Sequence, residues 1–131
     1  MPHPALSNPD FLKGIQEFNN KDFFDAHDTF EAIWHDVRGK EKRCYQAIIQ
    51  LAIGYYHLCF LNFKGAQSML TKAVEKLADY QPHALGLDTK HLLEKTEYVL
   101  SRIEELAEGK ILLKDMPPDF IPKIIIAQNS D

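Results

Sequence analysis

His27 and Glu31 stand four positions apart in Phe23-Phe24-Asp25-Ala26-His27-Asp28-Thr29-Phe30-Glu31-Ala32-Ile33-Trp34-His35, a stretch otherwise dominated by aromatic and small residues. At about 100° per residue, Phe23, Phe30, Glu31 and Trp34 all fall within about 60° of His27 on a helix, so imidazole, carboxylate and indole share one stripe. A buried imidazole or carboxylate is unfavourable unless it is hydrogen-bonded, paired or bound to a metal. The stretch therefore demands partners elsewhere.

They are found on a later stretch. Taking Gln46 as zero, Gln50 falls at about 40°, His57 at about 20°, Arg43 at about 60° and Ile53 at about 340°. A short turn between the two helices implies an antiparallel hairpin that sets this stripe opposite His27, Glu31 and Trp34. Two kinds of chemistry follow. In the first, His27, Glu31 and His57 are ligands of zinc, iron or manganese, with a coordination position open for water. Trp34, Arg43, Gln46 and Gln50 then form the outer shell, and Glu31 or Asp28 serves as general base for hydrolysis, although Asp28 points about 100° from His27. In the second, a His27–Glu31 pair bonds to Gln50 and the Trp34 indole and needs no metal. With the turn centred near Lys40, Gln50 lies level with residues 29 and 30, whereas His57 lies about 7 to 8 Å beyond the level of His27.

Five helices are expected to position these groups. Asn8-Pro9-Asp10 starts the first, over about 9–18, and Asn19-Asn20 closes it. The second runs over about 22–37, with Gly39 supplying the left-handed residue beyond its end. The third, about 42–62, is apolar on nearly every side and is expected to be the central element. The fourth covers about 64–80, opened by Lys64-Gly65, and residues 81–87 with Pro82 and Gly86 form a linker. Asp88 caps the fifth, about 88–108, which ends at Gly109. The tail, 109–131, is broken by Pro117, Pro118 and Pro122, yet Phe120, Ile121, Ile124, Ile125 and Ile126 are too apolar to dangle in water. They are expected to pack on the bundle, or to join helix five in a homo-oligomer. No repeat of fixed period is evident, and a tetratricopeptide array is disfavoured because no 34-residue register recurs.

The composition fits one all-α domain spanning 1–131, a helical bundle with an apolar, Pro-rich tail. Of 131 residues, 45% are hydrophobic and 26% charged, an ordinary globular balance. A formal charge of -4 gives no global positive field, which disfavours nucleic acid and anionic lipid as partners. The basic cluster Arg38 to Arg43 reads as a turn whose cations favour the preceding helix end. The longest apolar run, 47–63, is interrupted by Gln50, Gly54, His57 and Asn62, so no membrane span is expected. The chain opens without a secretory leader pattern. Cys44 and Cys59, about 22 Å apart on one helix, cannot bridge each other, and free thiols suit a cytoplasmic setting. Both read as core filler, while His35, His83 and His91 read as surface residues.

Phe18-Asn19, Phe23-Phe24 with Ala26-His27, Glu31, Trp34, Arg43, Gln46, Ile49-Gln50-Leu51-Ala52, Tyr56-His57, Asn62 and Gly65-Ala66 together resemble the DUF309 family. Those are small all-helical proteins of unknown function found mainly in prokaryotes and plastid lineages. The resemblance covers about residues 15–80. It implies a helical bundle, and family members carry the label of predicted metal-dependent hydrolases, which implies a metal site at His27, Glu31 and His57. Asp28 stands where the family pattern more often shows Glu, and Ala47 where Gly is expected after the glutamine. The alternative function is a non-enzymatic interaction or scaffold module built on a structural polar network.

Overall fold

The computed structural model describes residues 2–127. Helices α1 Pro9–Asn19, α2 Phe23–Trp34, α3 Lys42–Cys59, α4 Phe63–Leu77 and α5 Thr89–Ala107 make the all-α bundle that the periodicity implies. Their starts follow capping chemistry. Asn8 Oδ1 accepts from the Asp10 amide at 2.9 Å with Pro9 in the first turn, and Asp88 Oδ1 accepts from His91 N at 3.0 Å. Helix α4 starts at Phe63, one residue before the Lys64 expected, because Asn62 caps it through Gly65 N at 3.0 Å.

Helix α2 ends at Trp34, three residues short of Val37. Lys42 Nζ donates to the carbonyls of Trp34 at 2.8 Å and Val37 at 3.2 Å, and Arg38 Nη1 to those of His35 and Val37. The basic turn thus supplies donors to the carbonyl end of α2, where cations are favoured. Gly39 follows with φ +85°, the left-handed turn expected there.

Helix α3 packs against both α2 and α4 and buries ten side chains or glycines along its length. Tyr55 is fully buried, and its hydroxyl pairs with Thr96 Oγ1 of α5 at 2.7 Å, a bond between two otherwise costly polar groups. Burial also pushes the Tyr55 hydroxyl well above its ordinary pKa, so it stays neutral.

A repeat absent from the sequence pattern is present in the packing. Positions 14 and 54, 21 and 61, 22 and 62, 26 and 66, and 30 and 70 correspond across the α1–α2 and α3–α4 hairpins, each pair forty apart. Gly14 lets the Phe30 ring approach, where a Cβ would stand 2.6 Å from Cε1; Gly54 does the same for Leu70, at 2.6 Å from Cδ2. Lys21 and Leu61 turn the chain with φ +64° and +62°, Asp22 and Asn62 follow as N-caps, and Ala26 and Ala66 are fully buried. The hairpin is therefore used twice with different residue types, which hid it from a search for fixed-period identity.

The 81–87 segment is more than a linker. His83–Ala84 and Leu87–Asp88 form two short antiparallel strands, β1 and β2, and Leu87 bridges Ile126 of the tail. Strands of two residues leave no alternation to read in sequence. Asp88 N donates to Ile125 O and Ala127 N to Gly86 O, both at 2.8 Å, while Asn19 clasps Ile124 through both amide atoms. The tail thus packs on its own bundle, with Met116 and Ile124 buried. Residues 128–131 of the expected 109–131 tail lie outside the described residues. Among the described residues no helix is long and apolar enough to cross a membrane.

Candidate functional site

The polar stripe of α3 does not face α2 as a unit. Gln50 Oε1 accepts from Lys76 Nζ of α4 at 2.9 Å, and Arg43 Nη1 donates to Asp79 at 2.7 Å. Desolvation first, and then the nearby Arg43 charge, lowers the Lys76 pKa. The expected network joining Gln50 to His27, Glu31 and Trp34 is therefore not formed, and the buried Trp34 Nε1 has no hydrogen-bond partner among the described residues. Angular position explains the split. Arg43 and Gln50, about 40–60° to one side of Gln46, meet α4 and the turn after it, while Ile53, about 20° to the other side, and His57, only about 20° to the first side, line a cleft with α2. Gln46, between them, is half-buried.

What α3 shares with α2 is further along. Phe23, Phe24, His27, Ile53, Tyr56 and His57 line one cleft of about 170 Å³. Both histidines line it despite the offset in level of their backbones. Side chains lean toward the N-terminus of their own helix, so in an antiparallel pair His27 and His57 lean toward one another. A level count made on Cα positions misses this convergence. Glu31 is half-buried and outside the cleft lining.

The two imidazoles are held in opposite tautomers. His27 Nδ1 lies 2.6 Å from Phe24 O, and a carbonyl can only accept, so Nδ1 carries the proton. A neutral His27 then presents Nε2 as a lone pair. Asn62 Oδ1 is committed to the Gly65 amide, so its Nδ2 donates to His57 Nδ1 at 3.3 Å. A neutral His57 then carries its proton on Nε2. Of the two rings lining the cleft, one keeps an acceptor nitrogen and the other a donor. Asp28, 65% exposed and, like Glu31, outside the cleft lining, places a carboxylate oxygen 3.5 Å from His27 Nε2 at the rim.

Gly65 fits this arrangement closely. A Cβ there would stand 2.7 Å from Asn62 Nδ2 and 3.0 Å from the His57 ring. Aromatic side chains complete the walls: Phe24 lies 5.0 Å from the His27 ring and 5.6 Å from Tyr56, which lies 4.9 Å from Phe60 with the rings tilted by 48°. Phe24 and Phe60 remain 53% and 71% exposed.

Among the described residues no group of three or more His, Cys, Asp or Glu side chains is placed to hold a metal ion. Of the expected zinc, iron or manganese set of His27, Glu31 and His57, the two histidines line the cleft and Glu31 does not. The thiols lie apart from this chemistry. Cys44 is buried, and burial together with the Glu41 carboxylate pushes it up to about 12. Cys59 is exposed rather than core filler.

Phe24, Ile53, Tyr56 and Asn62 belong to the site without having been singled out for it in the sequence. Asn62 carried a readable signal, an amide side chain just before the fourth helix, where N-caps occur.

The sequence model of a domain of unknown function, DUF309, matches residues 11–69, which include every residue of the cleft and both residues that orient His57. The uncharacterized protein YpuF of Bacillus subtilis (strain 168) is 31% identical over 107 residues, covering 79% of this chain and 62% of that protein. The chain thus spans less than two thirds of the length of this relative.

Proposed function

We propose that the cleft between α2 and α3, which lies within the residues 11–69 matched by the DUF309 model, is a functional centre, with His27 as proton acceptor and His57 as proton donor toward a small bound molecule. The opposite hydrogen-bond partners of the two Nδ1 atoms, a carbonyl acceptor at His27 and an amide donor at His57, are the observation that carries this reading. A hydrolase-type reaction is within reach of such a pair. His27 Nε2 takes a proton from water as it attacks, and His57 Nε2–H protonates the leaving group, each contribution being worth about 10²–10⁴-fold. Asp28 stabilises the imidazolium that forms on His27. Glu31 has no role in this scheme. The free thiols support a cytoplasmic setting.

Hydrolysis of an unactivated alkyl ester, whose alkoxide leaving group needs a proton, by the intact chain and by His27→Gln and His57→Gln tests the scheme. Each substitution is expected to lower turnover about 100-fold. Equal turnover in all three removes it. Stoichiometric zinc, iron or manganese in tag-free protein would replace it with a metal centre.

A second reading, an interaction module, is favoured by the exposed Phe24, Phe60 and Leu61 beside the cleft. A homo-oligomer through α5 and the tail draws on Tyr98, Ile125 and Ile126, which stay exposed. A sedimentation mass of one chain across micromolar concentrations removes self-association.

A further inference from the structure

We infer that the α2–α3 cleft takes a primary carboxamide on a single ring-sized apolar body, its carbonyl accepting from His57 Nε2 and its amino group donating to His27 Nε2 and Asp28. This rests on the cleft being the functional centre and adds the class of molecule it holds.

Size sets the apolar part. A cavity of about 150 Å³ lined by aliphatic and aromatic side chains accommodates benzene, and this cleft offers about 170 Å³ between Phe23, Phe24, Ile53 and Tyr56. One ring or a short branched chain fills it, with its polar end at the two imidazoles.

Hydrogen-bond polarity selects the polar end. At His57 the only offer is an N–H, because Nδ1 is occupied by Asn62. That position takes a carbonyl or another acceptor. At His27 the offer is a lone pair, because Nδ1–H is bonded to Phe24 O. Asp28 Oδ1, 3.5 Å from that Nε2, adds a second acceptor and a negative charge. The second position therefore takes two donor hydrogens. A primary carboxamide carries one carbonyl acceptor and two N–H donors on adjacent atoms of one plane. A carboxylate brings a second acceptor against the His27 lone pair and the Asp28 charge, so it is discriminated against. An amine supplies donors but accepts nothing from the His57 N–H, so it forgoes that hydrogen bond.

Titration of the intact chain with benzamide, benzoate and N,N-dimethylbenzamide, followed through the imidazole signals of His27 and His57, tests the inference. Benzamide is expected to bind at least about tenfold more tightly than either analogue, the equivalent of one well-made hydrogen bond. His57→Leu and Asp28→Ala are each expected to erase most of that preference, and His57→Gln, which keeps an N–H donor, to restore part of it. Benzoate binding as tightly as benzamide, or no benzamide binding at millimolar concentration, overturns the carboxamide assignment. The probe series on the unaltered chain decides even where a variant does not fold. Histidine-dependent ester hydrolysis without benzamide selectivity overturns the ligand class alone, whereas benzamide selectivity without hydrolysis overturns only the acid–base scheme.

Discussion

Arg43 and Gln50, near the start and middle of α3, end in partners: Asp79 at 2.7 Å and Lys76 at 2.9 Å. His57, two turns further along the same helix, is bonded among the described residues through Nδ1 alone and lines a cleft. The first arrangement stitches α3 to α4 and its C-terminal turn. The second fixes a ring's orientation and tautomer while leaving its other nitrogen for something outside the chain. Polar groups on one helical stripe thus serve stability at one end and recognition at the other, according to which neighbour they meet.

Substitutions can break this contrast, beginning with the packing that both ends depend on. Gly54→Ala forces a methyl group to 2.6 Å from Leu70 and is expected to cost about 2 kcal/mol in chemical denaturation. Gly14→Ala, its counterpart against Phe30, should cost a similar amount if the two hairpins are structural equivalents. Tyr55→Phe strands Thr96 Oγ1 in the core and is expected to cost about 1 to 2 kcal/mol without altering the cleft. Gln50→Leu removes the Lys76 acceptor at a half-buried site and should cost about 0.5 to 1 kcal/mol. His57→Leu should change stability by less than about 0.5 kcal/mol, since its one bond, to Asn62, is solvent-exposed, while abolishing cleft function. A large stability loss for His57→Leu with no functional loss would erase the distinction between the two ends.

Thiol chemistry offers the smallest effect. Burial pushes the Cys44 thiol up to about 12, so at neutral pH its thiolate is scarce and its access poor. Alkylation in the folded state should proceed at the exposed Cys59 and spare Cys44.

The helices were legible because caps and apolar periodicity are local. Asn8, Asp88 and Gly39 act where their residue types implied. The end of α2 was misplaced because Ile33, Trp34 and Val37 continue an apolar pattern that the carbonyl-capping Lys42 and Arg38 interrupt only in three dimensions. The small sheet was hidden because β2 is completed by Ile126, thirty-eight positions beyond its last residue, Asp88. Within the site, His27 and His57 were found by type and angular position, but their partners were misassigned. A rotation of some tens of degrees decides whether a residue on α3 meets α2 or α4, and ideal helical angles resolve that poorly. Asn62 governs the His57 tautomer through a capping bond, a consequence visible only once both of its amide atoms have been accounted for.

The most direct test is the pattern of imidazole protonation, read from long-range proton–nitrogen correlation spectra at about pH 8, above the ordinary histidine pKa. His27 is expected to carry its proton on Nδ1 and His57 on Nε2, with Asn62→Leu releasing His57 to a mixture of tautomers. Identical tautomers at the two rings, or a His57 signal indifferent to Asn62→Leu, would contradict the paired donor and acceptor on which the proposed function stands.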